Sequence, residues 1–264
     1  ALPISLYPSL GDNGGPLADP ILQLGIKMLS HPMCTELERA RMLQKDADPE
    51  ILPRDFCSTK AGFLCSRSSY RHDGNYILMS AKTGCGCSGH NHMDLLSLFL
   101  TFRGQAFIGE PYTDKLYHSI RMNSELRGYM YNMTSHNTVL AHGEPVLPDC
   151  VYANKWGVYR PDTPVTEYWT DPKGIYVKAH HDAYTYCRHT RRILFHRTRG
   201  LIIRDEMERG NRREKPHIQR WHLEPGTVCR ILNNYSVLME KNGVSLLWIW
   251  TDCCDIRLWK NTSL

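Results

Sequence analysis

The segments Phe63-Leu64-Cys65-Ser66-Arg67-Ser68 and Tyr76-Ile77-Leu78-Met79-Ser80-Ala81, joined through Arg71-His72-Asp73-Gly74-Asn75, decide the architecture. From Gly62 onward the hydrophobic pattern takes a period of two, and the Asp-Gly-containing connection between these segments predicts an antiparallel hairpin. Further strands are expected at 92–102, 105–109, 136–142, 175–180, 191–196, 200–206, 217–223, 227–232, 235–240 and 244–250. So many short strands separated by turn residues predict a mainly β chain folded as a two-layer antiparallel β-sandwich. No internal repeat or low-complexity tract interrupts the pattern.

Toward the N-terminus the reading changes. Asp19 to Ser30 places apolar residues at 21, 22, 24, 26, 28 and 29, and Thr35 with Glu38 three positions on has the form of a capping box. Two helices are expected before Asp48-Pro49 and Pro53, with Phe56 to Lys60 as connector. The division predicted is a helical segment over 1–60 and a β domain over 61–264.

The chain has 264 residues and a hydrophobic content of 42%, enough to build a substantial core. No run approaches the roughly 18 apolar residues of a membrane span, and the N-terminus lacks a signal-peptide pattern. Because it opens directly on Ala1-Leu2-Pro3, an upstream leader or domain stays open. The formal charge of +5, with 13 histidines, suits an anionic partner. Arg188, His189, Arg191, Arg192, His196, Arg197 and Arg199 lie close together. They read either as a solvated sheet face or as a track for a polyanion, with Arg188 and Arg192 as candidate substrate-binding residues. No nucleic-acid module accompanies the charge, so nucleic acid is not the expected partner. The ten cysteines include no CxxC pair, and most are expected as reduced thiols in the core.

The chemistry concentrates in Gly84-Cys85-Gly86-Cys87-Ser88-Gly89-His90-Asn91-His92-Met93-Asp94-Leu95-Leu96-Ser97. If a strand begins at His90, then His90, His92 and Asp94 share one face, a row that suits a metal or catalytic site. Glu110 closes the run Gln105 to Gly109, which would return antiparallel, and His136 opens a later strand. His92, Glu110 and His136 thus offer a His, carboxylate, His set compatible with zinc or another borderline divalent ion. Taken singly, Glu110 reads as a turn carboxylate and His136 as a loop histidine.

Several of these stretches resemble motifs of heparinase II/III-like polysaccharide lyases. Gly89-His90-Asn91-His92-Met93-Asp94-Leu95-Leu96-Ser97 is similar to their G-H-x-H-x-D-x-L-S-F, and Ser135-His136-Asn137-Thr138-Val139 followed by Gly143 to A-H-N-T-V-x-V-D-G. Ile108-Gly109-Glu110-Pro111 sits where that family has Asp-Pro-Gly, so Glu110 replaces an aspartate. Tyr184 through Arg192 resembles G-Y-x-H-x-R. Gly200 to Asp205 with Trp221-His222-Leu223-Glu224-Pro225-Gly226 resembles a strand pair ending in H-L-x-P-G, and Tyr7 to Asp12 the late portion of a helical toroid.

The resemblance implies the end of an (α/α) toroid followed by a β-sandwich, with polysaccharide bound between the halves. It implies cleavage of uronic-acid-containing acidic polysaccharide by β-elimination, in which a base removes the C5 proton and an acid protonates the departing C4 oxygen. By this resemblance His90 is a catalytic histidine, and His92, Glu110 and His136 hold a structural zinc. Tyr129 and Tyr131 are candidate proton donors, as in alginate-type members. The principal catalytic tyrosine and the carboxylate-neutralising Asn or His would lie upstream, in the toroid, and the family's setting is the cell envelope, periplasm or exterior. Two other readings of the residues are a non-catalytic glycan-binding or scaffold module and a cupin-type metalloenzyme. The second lacks the P-x-G-x-x-H-x-x-x-N motif it needs.

Overall fold

The computed structural model describes residues 53–59, 62–81, 92–110, 129–130, 132–144, 163–184, 186–209, 216–252 and 255–258. The chain divides into two units, Ala1–Pro53 and Arg54–Leu264, and every described strand belongs to the second. The helices expected before residue 55 fall outside the described residues. No helix among the described residues is long and apolar enough to cross a membrane.

Five strands, β1 (Asp55–Ser58), β2 (Phe63–Arg67), β3 (Tyr76–Ser80), β4 (Leu98–Phe102) and β5 (Gln105–Ile108), form an antiparallel meander in chain order. After β6 (Val139–Leu140), β7 (Val165–Asp171), β8 (Gly174–Tyr184), β9 (Cys187–His196) and β10 (Gly200–Arg209) make a second antiparallel sheet in the order β10-β9-β8-β7. The short β11 (Ile218–Gln219) pairs with β6, and β12 (Val228–Asn233), β13 (Ser236–Lys241) and β14 (Val244–Ile249) form a three-stranded sheet.

Period-two burial makes the two layers. Leu64, Ile77, Met79, Leu98, Leu100 and Phe107 of the first sheet share one core with Ile175, Val177, Ala179, Ile193 and Phe195 of the second, joined by Val237 and Met239 of β13. The predicted hairpin is present, with Leu64 opposite Met79 and Ser66 opposite Ile77. A partly buried ion pair ties the first sheet to the β9–β10 turn: Arg197 Nη2 donates to Asp55 Oδ2 at 2.6 Å, and Ser66 Oγ donates to Asp55 Oδ1 at 2.6 Å. Among the described residues Cys57, Cys65, Cys187 and Cys229 are free thiols, of which Cys187 is buried and the others half-buried, and burial raises the pKa of each.

Some strands differ from their expected limits. The strand expected over 92–102 starts at Leu98. Residues 95 and 96 form a turn closed by Ser97 N–H donating to Asp94 O, with Leu96 at a φ of 57°. His92 and Asp94 therefore sit on a loop rather than on one strand face. The expected 136–142 strand is reduced to Val139–Leu140. β1 occupies a stretch of the expected connector, and β7 lies outside the expected strands.

Candidate functional site

The loops carrying His92, Glu110 and His136 meet at one place. Glu110 follows β5 through Gly109, whose backbone packs so closely on Glu224 that an added Cβ would lie 1.6 Å from its Oε1. The Glu110 carboxylate accepts a hydrogen bond from Ser97 Oγ at 2.5 Å and a short one from His136 Nδ1. The rings of His92 and His136 lie 5.4 Å apart, inclined by 55°. With Nδ1 taken by Glu110, the other imidazole nitrogen of His136 is Nε2, which is buried and has no hydrogen-bond partner among the described residues.

Asn137 holds this arrangement in place, and it is fully buried. Its backbone N–H donates to Ser97 Oγ at 3.0 Å. Its side-chain amide donates to Leu98 O at 3.0 Å and Gly109 O at 2.7 Å, and Oδ1 accepts from His222 N–H at 2.6 Å. Its carbonyl accepts from Arg191 Nη1 at 2.7 Å, and the same nitrogen reaches Leu96 O at 2.6 Å. One asparagine thus ties together the segments that present Ser97, Glu110, His136 and His222.

Arg191 is itself fully buried and pairs with Asp205 through Nε at 2.8 Å and Nη2 at 2.9 Å. Asp205 also accepts from His189 Nε2 at 2.8 Å, which leaves His189 Nδ1 to accept from His181 Nε2 at 3.2 Å. Burial alone would raise the Asp205 pKa, but Arg191 and His189 override it and hold the carboxyl below its ordinary range. Burial lowers the pKa of His189 against the pull of Asp205, so its imidazole is neutral near pH 7.

The segment 218–224 forms the remaining wall. Arg220 N–H donates to Thr138 O at 2.9 Å, and Gly109 N–H donates to His222 O at 3.0 Å, so the chain is laced between the His136 and Glu110 loops. Trp221 and Leu223 turn inward against the main core, while Arg220 Nη1 (2.8 Å) and His222 Nε2 (3.1 Å) both reach Thr134 O. Burial lowers the His222 pKa, with Glu110 opposing. Tyr129 belongs to the same electrostatic neighbourhood. Burial raises its pKa, against an opposing effect of Arg220 and with a further push from Glu110.

Residues 60–255 match the family model described as heparinase II/III-like, C-terminal. The chain belongs to this family. No match is found among curated proteins. Among solved structures, a heparinase III gene product is similar at 13% identity and a TM-score of 0.56, over 82% of this chain and 33% of that one. A heparan sulfate lyase HepC mutant from Pedobacter heparinus is similar at 15% identity and a TM-score of 0.54, over 79% of this chain and 32% of that one. A further heparinase III structure gives 13% identity and a TM-score of 0.53, over 80% and 35%. At these identities the likeness establishes the fold, and the chain spans about a third of the length of the structures it matches.

Of the residues singled out in this member of the heparinase II/III-like family, His92, Glu110, His136 and Tyr129 are gathered at the site, whereas His90 and Tyr131 lie outside the described residues. Arg188 and Arg192 are placed elsewhere. On β9 the core-facing residues are His189, Arg191, Ile193 and Phe195, so Arg188 and Arg192 project from the opposite face. There Arg188 makes a bidentate pair with Asp182 at 2.7 and 2.8 Å, and Arg192 pairs with Glu206. Among the described residues no three His, Cys, Asp or Glu side chains converge as ligands of one ion. The donor set still fits a zinc-class ion in kind, because it combines two imidazoles with a carboxylate and includes the buried, unpartnered His136 Nε2.

Sequence reasoning missed Asn137, Ser97 and Arg220 as members of the site and gave His222 no role. The alternation of Arg220 and His222 with Trp221 and Leu223 was the available signal. It marks one polar and one apolar face, and the polar face lines the site.

Proposed function

We propose that this chain is the β-sandwich half of a polysaccharide lyase that cleaves uronic-acid-containing acidic polysaccharide by β-elimination. The observation that carries this reading is the meeting of Tyr129, Arg220, His222, Glu110 and His136 in one neighbourhood, on a family-typical sandwich. A tyrosine is protonated near neutrality, so Tyr129 would be available as the acid that delivers a proton to the departing C4 oxygen. His90 would face the same substrate, and Tyr131 would supplement Tyr129. Zinc would be held by His92, Glu110 and His136, cross-linking three segments far apart in sequence. Its contribution would be structural.

The test is to incubate the full-length protein with heparan sulfate, chondroitin sulfate and alginate in turn, and to follow the ultraviolet absorbance of the conjugated double bond that elimination creates. At least one polymer should yield unsaturated ends, and Tyr129→Phe should slow the reaction by roughly 100-fold or more. Absence of unsaturated product with all three would refute the lyase reading. Metal analysis should find about one zinc-class ion per chain, lost together with thermal stability in His92→Ala and retained in His90→Ala. If both variants behave alike, the separate roles given to these histidines are wrong.

A further inference from the structure

Arg220 stands apart from the other arginines near the core. Arg191 and Arg197 each face a carboxylate of the chain: Asp205 and Asp55. Among the described residues, no carboxylate lies within ion-pair distance of Arg220, although its side chain is partly buried and a guanidinium is always charged. Among those residues its one side-chain hydrogen bond runs from Nη1 to Thr134 O at 2.8 Å, two residues before His136. That bond, with the backbone bond to Thr138 O at 2.9 Å, fixes the head group beside the site while engaging one of its five N–H donors. His222 Nε2 reaches the same Thr134 carbonyl at 3.1 Å, so the two side chains stand next to each other on the polar face of the segment.

We propose that Arg220 is the site's receptor for a substrate carboxylate, taking the carboxylate of a uronic acid residue through its remaining donors. This deepens the lyase reading and rests on it for the identity of the substrate. A carboxylate matches the guanidinium fork in geometry and charge, and it would supply the partner that the described chain does not. Tyr129 lies within electrostatic range of Arg220, so a sugar anchored there by its carboxylate is presented to the proposed proton donor. Neutralisation of the reacting carboxylate stays with the upstream Asn or His that the family resemblance implies, and Arg220 acts as a positioning residue that anchors and orients the sugar.

The experiment compares two probes on the folded chain at low salt: a heparan sulfate hexasaccharide, and the same hexasaccharide with its carboxylates reduced to primary alcohols and its sulfates retained. Wild type should bind the native probe about tenfold more tightly, the worth of one charge-assisted hydrogen-bonded contact. Arg220→Gln should lose this preference and bind both probes like the reduced one, and Arg220→Lys should recover some of it. Circular dichroism and the melting temperature of each variant separate this loss from misfolding. Equal affinity of wild type for both probes, an undiminished preference in Arg220→Gln, or equal loss of both probes in a folded Arg220→Gln would each overturn the assignment. The lyase reading is judged separately, by unsaturated product: product without a carboxylate preference would leave it standing and remove Arg220 from this role.

Discussion

Asn137 is the residue on which the site's geometry rests. Every polar group it owns has a partner inside the protein, and four of the five partner residues, Ser97, Leu98, Gly109 and Arg191, are buried. Asn137→Asp keeps the acceptor for His222 N–H but sets a carboxylate against the carbonyls of Leu98 and Gly109. We expect it to cost about 2–4 kcal/mol, as loss of a buried network does. Urea denaturation measures this, and a loss below about 1 kcal/mol would show that the network relaxes. His136 Nε2 has the opposite character, since a buried donor or acceptor without a partner is costly unless something binds it. In sequence, Asn137 is visible only as a letter in a motif. Its five partners come from segments up to 85 residues away, and no local pattern encodes them.

At the level of the elements, the β8–β9 hairpin leaves no room at its opening. Gly174 opens β8 against Phe195, and a Cβ there would lie 1.9 Å from the Phe195 carbonyl oxygen. Gly174→Ala must push β8 away from β9, although both strands carry core residues, and should destabilise the domain by about 1–3 kcal/mol. Gly243, where a Cβ would meet nothing within 4 Å, differs in kind: Gly243→Ala is opposed only by its φ of 78°. Comparing the unfolding midpoints of the two variants tests this reading, which fails if Gly174→Ala is the milder. Strands with clean alternation, such as Tyr76–Ser80 and the latter half of Cys187–His196, are readable because one face is buried and the other is not. The start of β4 is not readable in this way. Asp94 and Leu96 make a turn through the Ser97 N–H bond and a left-handed backbone, although His90, His92 and Asp94 mimic strand alternation. The edge strand β7 gives no signal because six of its seven residues are exposed and carry no apolar period.

For the molecule as a whole, one part of the pH response comes from groups sealed inside the second sheet. His189 faces His181 from β8 and Asp205 from β10, with Arg191 two residues along its own strand. Its pKa is depressed in the folded state, so the unfolded chain takes up the proton more readily. The stability it contributes is full above the ordinary histidine value of about 6.5 and is lost as pH falls toward the folded pKa. The melting temperature should therefore drop as pH falls below about 6.5, and His189→Gln should flatten that slope. A slope unchanged in the variant would place the acid sensitivity elsewhere. The basic cluster that suggests a polyanion track is largely neutralised within the protein, by Asp205, Glu206, Asp55 and Asp182. Formal charge in a sequence does not distinguish such internal pairing from a surface field.

Arg191 carries one more consequence, for the order in which the protein assembles. Its guanidinium bridges to Leu96 and Asn137 across separations of 95 and 54 residues, and Glu110 meets His136 across 26. Contacts that close such long loops form after local hairpins have formed, because the chain entropy lost must first be offset by nearby pairings. The bonds among Ser97, Glu110, His136 and Asn137 close the shorter loops, whereas those from Arg191 to Leu96 and Asn137 wait for the β9–β10 hairpin, whose docking completes the site.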